Sequence, residues 1–307
     1  MKKKRSHPIR IFFIFLLFTA VIYYGWHTFI KTGTKFFSNN SFYSISADQS
    51  IDHYNTVSMD EYDIYRGNLI LINAQNAYQD WGNNKLISVY DLKNTAYKVR
   101  DKNILLNEEV IYALNKLMDN FHKINSDNAV NVISGYRTEN YQRELFEEMS
   151  CEVGETEAAI WVANPGFSEH HSGLALDLGL YFDDGTSQSF NGEGKYSWIT
   201  ENCWKYGFVV RYPENKQSIT KIAYEPWHLR YVGIPHAFMM KETGLCFEEY
   251  IDFIQDYQFG TEHLVVSANG GTYEIYFATG MEVPVPENEV YKVSGNNVNG
   301  FFVTIEK

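Results

Sequence analysis

The chain is poor in cysteine: Cys151, Cys203 and Cys246 are its only three among 307 residues. So few, odd in number and widely spaced, they exclude a disulfide framework and leave open only a single Cys151–Cys203 bridge. Paired Cys-x-x-Cys knuckles are missing, which argues against a cysteine-held structural metal, and the zincin helix signature His-Glu-x-x-His is missing as well. No internal repeat or low-complexity tract is evident. Positive charge is also short, with 26 Lys and Arg against 38 Asp and Glu for a net charge of −12. Five of those cations lie in residues 2–10, which leaves 21 against 38, or −17, on the remainder. Phosphate binding needs a basic footprint, so nucleic acid is not an expected partner. Acidity on such a body is a solubility property.

The five early cations flank a segment with no charge at all. Residues 11–30 contain no Lys, Arg, Asp or Glu, and twenty residues rise about 30 Å as a helix, enough to cross a bilayer. Residues 1–10 therefore read as a cytoplasmic basic segment and 11–30 as a transmembrane anchor, with an exported body behind it. Tyr23, Tyr24 and Trp26 are bulky where a small-x-small cleavage site would lie, so the anchor is expected to stay uncleaved. Residues 31–60, rich in Ser, Asn, Thr and Asp, read as a linker between membrane and domain.

A compact catalytic domain is expected over 61–258. Asn68–Asn73 is a short apolar run suited to a strand, whereas Val110, Leu114, Leu117, Met118 and Phe121 recur at helical spacing within 107–124. Residues 129–134 read as a strand that delivers Arg137 just beyond its end. Residues 173–179 alternate in the β manner, which puts Asp177 on the same face as Ala175. Residues 193–206 and 247–257 read as helices, and 208–212 and 227–232 as strands. Helices packed on one face of a central, mainly antiparallel sheet form an α+β domain. From 259 to 307 the texture turns to short β runs separated by Gly-Gly, Pro and Asn-rich turns. This small β-rich appendage is too short to guarantee stability alone, so it is expected to pack on the catalytic domain.

Two blocks carry chemistry. Ser168 to Asp177 reads Ser-Glu-His-His-Ser-Gly-Leu-Ala-Leu-Asp, and 48 positions after Asp177 the chain returns with Glu225-Pro-Trp-His228. Either block alone would read as loop histidines at the surface. Together they supply two imidazoles and a carboxylate as ligands, and a second carboxylate beside them. Catalytic zinc takes three such protein ligands and keeps a fourth position for water. Asp177 and His228 are two candidates, and the third is either His170 or His171. Glu225, three residues before His228, can lie near the metal-bound water and take its proton without binding the metal. The reading is a zinc hydrolase.

These residues also resemble a family. Ser168-x-His170-x-x-Gly173-x-Ala175-x-Asp177 with Glu225-Pro-Trp-His228-x-Arg230-Tyr231 looks like the zinc D,D-peptidases that trim D-alanine from peptidoglycan stems. Ser134-Gly-Tyr-Arg137 followed by Gln142, and Tyr206-Gly-Phe-Val-Val-Arg211-Tyr-Pro213, match the same family. The resemblance runs from Tyr65 to Gly300 and is to the VanY-type D-Ala-D-Ala carboxypeptidases of glycopeptide-resistance clusters. It implies Zn2+ held by His170, Asp177 and His228, with His171 left as a neighbour. It implies Glu225 as the base, Arg137 at the substrate and transition state, and Ser168 as a substrate contact. A fixed guanidinium suits that role, because it can offer paired donors to a carboxylate or an oxyanion. The implied partner is a peptidoglycan precursor or stem peptide ending in D-Ala-D-Ala. A D,D-dipeptidase, a peptidoglycan endopeptidase, or a non-catalytic wall-binding protein with a structural metal are the alternatives.

Overall fold

The computed structural model describes residues 42–47, 53–80 and 85–307. The expected anchor at 11–30 lies outside them. Among the described residues no helix is long and apolar enough to cross a membrane.

Residues 46–307 form one compact unit. Its centre is a sheet in the order Lys98–Val99, Val130–Ser134, Ala175–Tyr181, His228–Tyr231, Phe208–Val210, with Ser187–Ser189 added against Ala175–Tyr181. All its pairs are antiparallel except Lys98–Val99 with Val130–Ser134. The fold is therefore mixed α/β around a mainly antiparallel sheet. The Glu108–Asn125 helix buries Val110, Ile111, Leu114, Leu117, Met118 and Phe121, the expected stripe with Ile111 added. That stripe and the sheet residues Val130, Val132, Leu176, Leu178 and Leu229 make one core.

Three segments differ from the sequence reading. Asn68–Asn73 is not a strand. Its backbone is bonded to the C-terminal part of the chain instead: Leu69 N–H donates to Ser294 Oγ at 2.9 Å, Leu71 N–H to the Asn296 carbonyl at 3.1 Å, and Asn297 Nδ2 to the Leu71 carbonyl at 2.8 Å. The helix expected over 193–206 is broken into a 3₁₀ turn at Gly194–Tyr196, a helix at Ser197–Asn202 and a second 3₁₀ turn at Cys203–Tyr206. Part of the stretch expected to be a linker is structured, since Tyr54–Ser58 pairs antiparallel with Glu282–Pro286. Apolar packing explains this: Tyr54 and Val57 cover the cluster of Val283, Val285, Val303 and Ile305. The three cysteines are free thiols, Cys151 exposed and the other two buried, so the Cys151–Cys203 bridge is absent.

The C-terminal residues form antiparallel pairs with Glu262–Ala268, Gly271–Ala278, Phe301–Glu306 and Val290–Gly295 as neighbours in that order. This sheet packs on the rest of the unit. Buried His236, at the start of the His236–Thr243 helix, joins Tyr250 Oη at 2.8 Å and Thr304 Oγ1 of the sheet at 2.9 Å. Burial, with Lys292 adding to it, pushes this imidazole down to about 3. The folded state thus holds His236 neutral, while the unfolded chain takes up a proton below about 6.5. That contribution to stability is full above the unfolded value and falls away as the pH drops toward about 3. Thermal unfolding followed from pH 7 downward is expected to show a steeper acid loss for the wild type than for His236→Gln, whose amide can meet both hydroxyls without titrating.

Candidate metal centre and active site

Sheet register brings the two sequence blocks together. His228 and Asp177 are directly paired across neighbouring strands. On the other side Ser134 pairs with Asp177 after an irregularity between Val132 and Ser134, and that shift turns the chain toward Arg137. His170 comes from the 3₁₀ turn Glu169–Ser172, at whose start the Ser168 hydroxyl accepts from His170 N–H at 3.4 Å. The turn ends at Gly173 in the left-handed region, where any side chain is strained and a Cβ would lie 2.5 Å from Leu86 Cδ2. Gly135 is equally constrained, because a Cβ there would meet the Leu105 carbonyl oxygen at 2.4 Å.

The imidazole of His170 is fixed by Nδ1, which lies 2.6 Å from the Gly135 carbonyl and donates to it, leaving Nε2 at 3.2 Å from Asp177 Oδ2. His228 turns Nδ1 to the same centre, 3.3 Å from Asp177 Oδ1 and 3.6 Å from Glu225 Oε2. One ligand atom from each of His170, Asp177 and His228 lies within 4.8 Å of the others, and all three residues are buried. Asp177 Oδ1 is buried without a hydrogen-bond partner. Two imidazole nitrogens and a carboxylate oxygen converging on one point are a donor set that fits a divalent metal. His171 is directed elsewhere: its Nδ1 donates to the Arg137 carbonyl at 2.8 Å and its Nε2 accepts from Gly166 N–H at 3.2 Å. It braces the Arg137 backbone.

The electrostatics follow from burial and from charge placement. Burial, with Arg137 adding to it, lowers His170 to about 4 and keeps it neutral, as a ligand must be. Burial opposes charge on His228 too, but Asp177 and Glu169 outweigh it and hold this imidazole up at about 9. The field that attracts a proton to His228 attracts a metal cation equally. Burial also opposes charge on Asp177, yet His170 and Arg137 keep its carboxyl well below the usual range. Burial raises Glu225 to about 7, with His228 opposing and the charge of Asp177 reinforcing, so the group is poised to exchange protons near neutrality.

Arg137 closes the ring. Its Nη2 donates to Asp177 Oδ2, its Nε to Ser134 Oγ at 2.9 Å, and its Nη1 to Gln142 Oε1 at 3.3 Å. Gln142 is held in turn by donating to the Ala163 carbonyl at 2.8 Å. All six residues singled out from sequence, Arg137, Ser168, His170, Asp177, Glu225 and His228, line one cleft of about 480 Å3, together with Tyr212, Trp227 and Trp161.

The VanY family profile, D-alanyl-D-alanine carboxypeptidase, matches residues 103–234. A D-alanyl-D-alanine carboxypeptidase of Enterococcus faecium is 37% identical over 254 residues, which are 80% of this chain and 77% of the relative. The chain belongs to the VanY family. Among solved structures it is similar to the vancomycin-resistance D,D-dipeptidase VanXYg in complex with a D-Ala-D-Ala phosphinate analog, with TM-score 0.73, 34% identity, and coverage of 83% of this chain and 99% of that one. It is also similar to the vancomycin-resistance D,D-pentapeptidase VanY of a VanB-type cassette in complex with Zn(II), with TM-score 0.50, 33% identity, and coverage of 60% and 98%. The VanY profile ends before Glu248, a residue that enters the buried network behind the candidate metal site.

That network was missed in the sequence. Glu169, between two residues that the motif uses, is wholly buried and pairs through Oε1 with Arg211 Nε at 2.7 Å and Arg230 Nη1 at 2.8 Å. Arg211 and Arg230 stood in recognised blocks, yet nothing local marked them as partners of a buried acid.

Proposed function

We propose that the protein is a zinc-dependent D,D-carboxypeptidase that removes the C-terminal D-Ala from peptidoglycan stem pentapeptides. Stems trimmed in this way no longer present D-Ala-D-Ala to glycopeptide antibiotics. The observation that carries this reading is the convergence in one cleft of the His170, Asp177 and His228 donors with a carboxyl, Glu225, raised to about 7 and 3.6 Å from His228 Nδ1. Those three residues would hold zinc, which when bound would supply a Lewis acid and lower the pKa of water to about 7. Glu225 then removes the proton from the attacking water as the new C–O bond forms, and delivers it to the D-Ala nitrogen as the C–N bond breaks. Arg137 donates to the oxyanion or to the terminal carboxylate of the substrate. Ser168, at the cleft wall, contacts the peptide.

Replacing Arg137 by Lys puts one point charge in place of a planar paired donor. Arg137→Lys is expected to keep zinc and lower kcat/KM for D-Ala release by about 10²–10³-fold, the scale of one lost oxyanion donor. Steady-state kinetics with zinc content measured on the same preparation checks it.

The similarity to VanXYg over 83% of this chain supports a second reading, a D,D-dipeptidase. Supplying pentapeptide and free D-Ala-D-Ala in parallel decides between them, with faster D-Ala release from pentapeptide expected. Failure to release D-Ala from either, with zinc bound, overturns both and leaves a binding protein. A structural metal would have no need of Glu225.

The proposed location is the cell membrane, with residues 11–30 as anchor and the catalytic domain outside. Full-length protein is expected to sediment with membranes, while a chain truncated ahead of Phe42, which keeps the Tyr54–Ser58 strand, is expected to be soluble and active. Protection of the domain from protease added to wall-stripped cells would refute the orientation.

A further inference from the structure

Behind the metal site two buried polar atoms face each other. His228 Nε2, on the side of the ring away from Asp177, lies 3.5 Å from Glu169 Oε2. Neither atom has a hydrogen-bond partner among the described residues. The other oxygen of Glu169 is taken up by Arg211 and Arg230, at 2.7 and 2.8 Å. Those arginines are anchored in turn. Arg211 forms a paired contact with Glu248 of the Phe247–Gln255 helix, at 2.9 and 2.6 Å, and Arg230 Nη2 donates to the carbonyls of Asn68 and Ile70 at 3.0 and 3.1 Å. Glu169 therefore has no freedom to turn, and its second oxygen can serve only the imidazole.

We propose that Glu169 is the positioning residue of His228: its Oε2 accepts the Nε2–H, which fixes the tautomer and the ring plane so that Nδ1 faces the metal position. This rests on the reading of His228 as a metal ligand. A carboxylate behind a ligating imidazole sets its tautomer and raises its basicity, and loss of such a partner costs about 10–100-fold in metal affinity. The same two arginines also tie Glu169 to residues 68–70 and to the 247–255 helix.

A purely structural role for Glu169, neutralising two buried arginines, makes a different prediction from positioning. The test is zinc affinity by competition with a chromophoric chelator, on folded protein well below its melting temperature, for wild type, Glu169→Gln, Glu169→Asp and Glu248→Gln. Positioning predicts about 10–100-fold weaker zinc binding for Glu169→Gln and Glu169→Asp. Asp keeps the charge between the arginines but withdraws the oxygen from His228. Glu248→Gln strains the same ion network without touching His228, so it should lower the melting temperature and leave zinc affinity near wild type. Proton spectra of zinc-loaded wild type should show a slowly exchanging, strongly downfield-shifted His228 Nε2–H, as a hydrogen bond to a carboxylate requires. Wild-type zinc affinity in Glu169→Asp, or a His228 Nε2–H in the wild type that exchanges freely without that shift, overturns the proposal, and the spectra decide it if the variants do not fold. If the wild type itself bound no zinc, the metal reading would fall instead, and the two failures are distinct.

Discussion

Glu225→Gln is expected to keep zinc while losing D-Ala release by about 10²–10⁴-fold, the scale of general acid–base catalysis. Gln preserves the volume and can still orient a water through its amide, but it cannot take a proton. The expectation rests on placement and environment together. Glu225 is buried, its carboxyl is raised to about 7, and it reaches the metal-facing nitrogen of His228 at 3.6 Å while standing outside the three-ligand set. Zinc content and D-Ala release should be read on the same sample. Near wild-type turnover with zinc bound would mean that another group moves the proton.

Loss should be more complete for His228→Ala, in metal as well as activity. His228 contributes one of three converging donors, and its removal leaves His170 and Asp177 with the Arg137 guanidinium already donating to Asp177. That cation would hold the carboxylate in place of the metal. The variant is expected to purify without zinc, to release D-Ala at background rate, and to gain little from added metal. Full occupancy measured in His228→Ala would show that the ligand set is wrong. Chelation of the wild type should reproduce the loss of activity, and zinc should reverse it.

The parts of this molecule that sequence could disclose are those whose signal is local. The helix at Glu108–Asn125 announces itself by its apolar spacing, and the strands around Asp177 and His228 by alternation and by the motifs they carry. Spacing and the family resemblance together also name six residues that line one cleft, but they say nothing of which ring nitrogen turns to the candidate metal position. That depends on the Gly135 carbonyl, 2.6 Å from His170 Nδ1, and on Glu169, 3.5 Å from His228 Nε2. Both are tertiary contacts across tens of residues. Asn68–Asn73 looked like a strand because it is apolar. It is instead buried coil whose hydrogen bonds run to Arg230, Ser294, Asn296 and Asn297, and no window of a few residues contains that information. Glu282–Pro286 escaped notice for the opposite reason, since Pro284 and Pro286 discourage a strand assignment. It succeeds as a strand beside Tyr54–Ser58 alone.

That last pairing has a kinetic consequence. Strand residues 54–58 hold on to residues 282–286, so a chain made from its first residue onward has an early strand waiting for a partner that arrives more than two hundred residues later. Closing so long a loop is slow relative to local structure formation. Until the last segment emerges, the early strand keeps an open edge, and a ribosome halted before residue 282 would leave Tyr54 and Val57 exposed to any neighbouring chain.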